Sequence, residues 1–268
     1  MQRRQFLAAS AAAATGLLAA GRKARAADEP SGRQFFELRR YHFAGAEKQK
    51  AFEQFLADAA IPAYNRAAVE PVGVWKIMAA DNPRLKLKED STDLYVFLPH
   101  KSLESVVTLE NRLAADEQFQ AAGKAILAAT KNHEAFTRYE SSLLLAMEGA
   151  PHVDVPLKSA GRVFELRTYE SRTNAKAINK LAMFNAGEFA AFKAANMPGV
   201  FFGGAIVGEN LPQLTYMVAH ESMEAAKANW VAFGKVPEWK ILSSDPQYQD
   251  NVSKVIDQYV RPSPASQI

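Results

Sequence analysis

The sequence predicts an α+β fold built from two β-α-β-β-α-β units in tandem, each with the split ferredoxin-like pattern. Three observations predict it. Phe36-Glu37-Leu38-Arg39-Arg40-Tyr41 returns as Phe164-Glu165-Leu166-Arg167-Thr168-Tyr169, at a spacing of 164 − 36 = 128. The stretch from Leu94 to Glu104 is echoed by Leu214 to Glu224 at a spacing of 120. A fainter pair, Asp116 and Phe119 against Asp245 and Tyr248, is spaced by 129. Self-similarity on this scale marks one folding unit used twice, and the unequal spacings mark loop-sized insertions.

Each unit can be followed along the chain. From Arg33 to Phe43 the alternation of aromatic, aliphatic and polar residues is that of a strand. Phe52, Phe55, Leu56 and Ala59 then give a helix over 46–60, with Pro62 disturbing its end. Two strands follow over 72–79 and 93–99, around a charged turn. Ser102 is a helix N-cap, and Glu104 sits well against the positive end of that helix. A broken helical region to Thr130 and a strand over 136–145 complete the first unit, 33–146.

A linker over 147–161 holds two prolines and two glycines. The second unit, 162–262, repeats the order. A strand over 163–170 precedes a helix over 175–195 with Ile178, Leu181, Phe189 and Phe192 inward, stopped by Met197-Pro198-Gly199. Strands over 200–208 and 213–220 flank a turn, Ser222 caps a helix to Phe233, Pro237 opens a further turn, and 252–260 is the last strand. Such a unit covers one sheet face with helices and leaves the other bare, and a second copy supplies the missing cover. The expected result is two sheets meeting face to face in a barrel-like core.

The segment 1–26 is predicted to be an address. Arg3-Arg4-Gln5-Phe6-Leu7, an alanine-rich apolar run and Ala24-Arg25-Ala26 make an export signal. The arginine pair resembles a twin-arginine signal, which implies a periplasmic or secreted protein. The apolar run is shorter than the roughly 20 residues that span a bilayer, so no stable membrane span is expected after cleavage. Removing the five basic residues of this segment leaves 32 − 5 = 27 basic against 29 acidic residues, a charge of −2. Nothing in that balance suggests a nucleic-acid surface. The chain has no cysteine, which excludes disulfides and thiolate chemistry.

Several separated motifs occur in the order seen in NIPSNAP domains: the Glu-Leu-Arg-x-Tyr strand, the glycine-bearing stretch Gly203 to Pro212, Trp230-Val231-Ala232-Phe233, and Pro237-Glu238-Trp239. The second unit resembles that family over nearly its whole pattern. The first keeps Glu37-Leu38-Arg39, Tyr41 and Gly73-Val74-Trp75 but lacks Pro-Glu-Trp, with Asp116-Glu117-Gln118-Phe119 as a loose counterpart. The resemblance implies a dimeric α/β-barrel-type pseudo-dimer and no settled activity. Relatives by fold include cofactor-independent oxygenases and haem-handling proteins.

Strand periodicity puts Glu37, Arg39 and Tyr41 on one face and Phe36 and Leu38 on the other. Glu165, Arg167 and Tyr169 oppose Phe164 and Leu166 in the same way. If the apolar faces meet the helices, both polar rows converge between the sheets. There they would bind a small anionic or carbonyl ligand, with arginine orienting it and tyrosine donating a proton. The alternative is that Glu and Arg neutralise one another as buried structural pairs. No catalytic residue is assigned. No histidine pair has metal-binding spacing, so no metal site is predicted. His42, His100 and His220 are the candidates for a ligand contact, and for an axial ligand if haem were held. No cofactor is otherwise predicted. Trp230, Phe233 and Trp239 read as core packing. No phosphate loop and no Gly-x-Ser-x-Gly elbow occurs. Two classes remain: a ligand-binding barrel, alone or as a homo-oligomer, and a small-molecule enzyme on the same fold.

Overall fold

The computed structural model describes residues 32–268; the signal expected over 1–26 lies outside them. Eight strands are formed: β1 (Phe35–His42), β2 (Gly73–Lys76), β3 (Leu94–His100), β4 (Arg138–Ala146), β5 (Val163–Glu170), β6 (Gly199–Val207), β7 (Gln213–His220) and β8 (Lys254–Pro262). They close into one antiparallel barrel in the order β1-β3-β2-β8-β5-β7-β6-β4. Read by halves, β4-β1-β3-β2 and β8-β5-β7-β6 have the same strand order. The halves therefore do more than lie face to face: they join edge to edge, through β2–β8 and β4–β6.

The β2–β8 seam is short, with two residue pairs. The tail completes it: Ser263 and Gln267 donate their N–H groups to Val74 and Val72, and Gln267 Oε1 accepts from the Val72 N–H. Closure of this kind leaves no strand edge for another chain to pair with.

In the first half the helices are α1 (Ala46–Phe55), α2 (Ile61–Arg66), α3 (Leu103–Ala114), α4 (Glu117–Ala122) and α5 (Lys124–Leu127). In the second they are α6 (Asn174–Met183), α7 (Phe189–Ala194), α8 (Met223–Phe233) and α9 (Pro237–Ser244). The caps form where the sequence places them. Ser102 Oγ accepts from the Ser105 N–H, and Ser222 Oγ from the Ala225 N–H. Asp116 caps α4, so the loose counterpart of Pro-Glu-Trp is a helix start, with Phe119 buried behind it.

Pro62 does not end its helix. A π-helical turn, Leu56–Ala60, joins α1 to α2, and the Ile61 N–H reaches back to Leu56 O. The wider register absorbs the hydrogen bond that proline cannot donate, and Pro62 enters as an early residue of α2. A second π turn, Phe184–Glu188, joins α6 to α7. The two turns begin at Leu56 and Phe184, the same spacing as the Glu-Leu-Arg repeat. Ile178, expected inward, is 66% exposed on α6. Among the described residues no helix is long and apolar enough to cross a membrane.

Three apolar clusters fill the molecule. The barrel interior holds Phe36, Trp75, Phe97, Phe164, Phe201 and Met217, with Phe97 and Phe201 stacked at 4.4 Å. Gly73 makes room there, since a Cβ at that position would lie 2.1 Å from the Trp75 ring. The other two clusters lie between the barrel wall and the helices of each half. Phe36 and Leu166 thus point into the barrel, and the Glu-x-Arg-x-Tyr rows point outward under the helices. The expectation of six polar groups converging between the sheets is reversed. The interior of an eight-stranded barrel is just wide enough for side chains to fill, and here bulky apolar ones do. The polar rows occupy the layer where α-helical partners can satisfy them.

Candidate functional site

In the first half, Arg39 forks Glu37, with Nε 2.7 Å from Oε1 and Nη2 3.0 Å from Oε2. Nη2 also reaches Glu110 Oε1 of α3 at 3.0 Å, and Nη1 lies 3.4 Å from the Tyr41 hydroxyl. Ser141 of β4 donates to Glu37 at 2.8 Å. Burial works to raise the Glu37 pKa, but the His100 ring, the Arg39 fork and Ser141 outweigh it and hold the carboxyl at about 2. Glu37 is therefore a weak base at neutral pH. Burial pushes the Tyr41 and Tyr64 hydroxyls up, which keeps both protonated as donors.

This row floors a cavity of about 400 Å³ beneath α1, α3 and the 126–136 segment. Its walls include Phe52, Phe55, Tyr64, Phe119, Phe136 and Tyr139, with Glu110 and Glu134 at its side. The aromatic rings touch one another: Tyr41 lies 4.7 Å from Phe52, 5.2 Å from Phe136 and 5.0 Å from Tyr139. Tyr64 is 5% exposed. Its side chain lines the cavity.

The second half builds the same row but fills the space in front of it. Arg167 Nη1 pairs with Glu165 Oε1 at 2.5 Å, and Nε lies 3.2 Å from the Tyr169 hydroxyl. Tyr169 bonds Tyr216 at 2.7 Å. Trp230 donates its indole N–H to Glu165 Oε2 at 2.5 Å and stacks on Arg167 at 4.5 Å. Burial opposes the charge on Glu165, yet His220, Arg167 and Trp230 together lower its pKa.

At the repeat spacings, Trp230 stands where the first half has Glu110 (230 − 120). Likewise Lys180, Glu188 and Phe192 stand where it has Phe52, Ala60 and Tyr64 (a shift of 128). Lys180 and Glu188 form a buried pair at 2.6 Å. Lys180 Nζ lies 5.5 Å from the Tyr169 ring and 5.8 Å from that of Trp239. Trp230 and Trp239 pack against the core of the second half, and Trp230 also secures the polar row. The signal for the plug was present in the sequence as the pair Lys180 and Glu188 on an otherwise apolar helical stripe.

The three histidines do not open into these spaces. His100 and His220 are fully buried, with Nε2 3.7 Å from Glu37 and 3.5 Å from Glu165 respectively. Neither Nε2 forms a hydrogen bond. Asn229 Nδ2 donates to the Asn196 carbonyl and meets His220 Nδ1 at 3.2 Å. Nδ1 is then the acceptor, and the ring proton lies on the Nε2 that faces Glu165. His42 bridges Asp93 at 2.9 Å and Glu140 at 3.2 Å at the rim of the barrel, away from the cavity. An axial haem ligand needs a nitrogen lone pair open to a cavity wide enough for the macrocycle. None of the three provides one, so these residues do not fit a haem.

A larger cavity, about 700 Å³, lies elsewhere, between α7, α8 and the start of β6. Its lining is mostly apolar and meets the His220 end of the polar network through Asn229 and Asn196. The chemistry of the Arg39 cavity makes it the stronger site.

A closed antiparallel α/β barrel with helices outside is the class these features define. Solved structures share it. A proposed monooxygenase from Lactobacillus acidophilus NCFM is 12% identical, with 86% of this chain and 94% of that one covered and a TM-score of 0.52. One from Fusobacterium nucleatum is 9% identical over 86% and 92% of the chains, with a TM-score of 0.51. At such identity the likeness shows the fold. Residues 164–267 match the NIPSNAP family model. An uncharacterized NIPSNAP-like domain protein from Burkholderia xenovorans is 18% identical over 40% of this chain and 90% of its own, with a TM-score of 0.36. No curated protein matches the chain.

Proposed function

We propose that this protein is an exported small-molecule-binding barrel made of two ferredoxin-like units, of which the first holds the ligand site. The observation that carries the reading is the aromatic cavity floored by Arg39 and Tyr41, with the buried side chain of Tyr64 in its wall. A volume of about 400 Å³ lies in the range of small-molecule pockets. Arg167 and Tyr169 serve the second half as structure, because Trp230 and the Lys180–Glu188 pair occupy the equivalent space. With Glu37 held ionised and forked by Arg39, the row positions a ligand better than it abstracts a proton from one.

A fused-ring alcohol, 1-naphthylmethanol, is the probe. Isothermal titration is expected to give one site per chain, with Kd in the range of about 10 µM to 1 mM. Ala135→Trp, on the cavity wall, is expected to abolish binding while the thermal transition persists. Undiminished binding to that variant would place the ligand elsewhere and overturn the reading. Export rests on the segment 1–26. Arg3→Lys together with Arg4→Lys is expected to leave uncleaved precursor in the cytoplasmic fraction, and normal processing of that variant would sink the proposal.

A further inference from the structure

The Arg39 cavity invites an anion at first sight, and its partners argue against one. The guanidinium fork is already taken by Glu37, and Nη2 is shared with Glu110. The charged groups that line or directly back the cavity are Arg39 on one side and Glu37, Glu110 and Glu134 on the other, a net charge of −2. An incoming carboxylate would have to displace Glu110 and then face Glu134. A cation meets the opposite field, and the walls suit it: ring faces attract positive charge through their quadrupoles. Arg39 itself already lies over Tyr139, 5.6 Å from the ring centroid.

The second half supplies an internal precedent. Where α1 carries Phe52, α6 carries Lys180, whose Nζ lies 4.8 Å from the Phe184 ring, also near Tyr169 and Trp239, and is paired with Glu188 at 2.6 Å. That half thus holds an ammonium of its own among aromatic rings and a carboxylate, in the layer in front of the row. The first half has the rings and the carboxylates, with Phe52 and Ala60 in place of the lysine and its partner.

We infer that the first-half cavity selects organic cations, an aryl or alkyl ammonium, over anions of the same shape. This rests on the cavity being the ligand site. The ammonium would sit among Tyr41, Tyr64 and Tyr139, its N–H groups shared between the Tyr64 oxygen and Glu110, and its aryl or alkyl body against Phe55 and Phe119.

The test is an isosteric series on the full exported chain: 1-naphthylmethylammonium, 1-naphthylmethanol and 1-naphthoate, titrated at neutral pH and low salt. The cation is expected to bind about tenfold or more tighter than the anion, with the alcohol between them. Glu110→Gln with Glu134→Gln is expected to bring the cation to the affinity of the alcohol in the same variant. Glu134→Gln alone, at an exposed position, gives a variant whose folding is secure and is expected to lose part of the preference. Equal affinities across the series, or a preference for naphthoate, would overturn the charge selectivity while leaving the cavity as the site. Failure of all three probes to bind would remove both.

Discussion

Arg167→Met is expected to cost the fold about 3–5 kcal/mol, the penalty for stripping one partner from a buried ion pair. Glu165 is 1% exposed and would be left with the Trp230 N–H and its neutral neighbours, the His220 ring among them. The change also removes the donor to Tyr169 and the cation stacked on Trp230. Arg39→Met is expected to cost less, because Glu37 keeps the Ser141 hydroxyl at 2.8 Å and is 8% exposed against 1% for Glu165. Urea midpoints of the two variants make the comparison. Adding Glu165→Leu to Arg167→Met should recover part of the loss, since no uncompensated charge then stays buried. Equal small losses in both halves would mean that the second-half row is solvated and unplugged, contrary to the packing of Trp230.

How much of this could be read from the chain depended on which physical question was asked. The twofold repeat was legible because one strand, Glu-Leu-Arg-x-Tyr, survives nearly unchanged in both halves. The alternation within it also separates Phe36 and Leu38 from Glu37, Arg39 and Tyr41 correctly. Alternation does not say which face meets the barrel. β3 is buried at all seven positions, so its Tyr95 and Phe97 could not break the tie against Val96 and Leu98. The choice follows from closure: the interior of a joined barrel takes the large rings of both halves, and the polar rows fall to the helix side. Closure itself depends on β2 meeting β8 over two pairs, too short a seam for any pattern to announce.

The asymmetry of the two sites was legible in principle. It sits in single exchanges between the repeats, Phe52 for Lys180, Ala60 for Glu188, Tyr64 for Phe192 and Glu110 for Trp230. A comparison limited to the conspicuous motif passes over them. Their meaning needs the three-dimensional fact that all four fall in one layer in front of the arginine. The π turns at Leu56–Ala60 and Phe184–Glu188 set that phase, since each rotates the residues after it relative to an uninterrupted α-helix.

Acid is expected to find the first-half row before the rest of the fold. Glu37 titrates at about 2 in the folded chain against an ordinary 4.5. A depressed carboxylate contributes stability that is fully present above its unfolded pKa and is lost as pH falls through the folded one. The window is therefore pH 4.5 down to 2, and the shift corresponds to about 3 kcal/mol. Glu165, also lowered, adds loss of the same sign. Glu188 acts the other way: burial raises its pKa despite Lys180, so its ionisation costs stability at neutral pH and protonation relieves that cost. The net profile is a gain as pH falls toward 4.5, where Glu188 takes up its proton in the folded chain, followed by a loss below 4.5 as the contribution of Glu37 disappears. Glu37→Gln is expected to start lower at pH 7, because the Arg39 fork loses its charged partner, and to fall less steeply in acid. Urea unfolding at pH 7, 5, 4 and 3 reads both curves. An acid slope unchanged by the substitution would assign the titration to another carboxylate and leave the Arg39 fork without its pH signature.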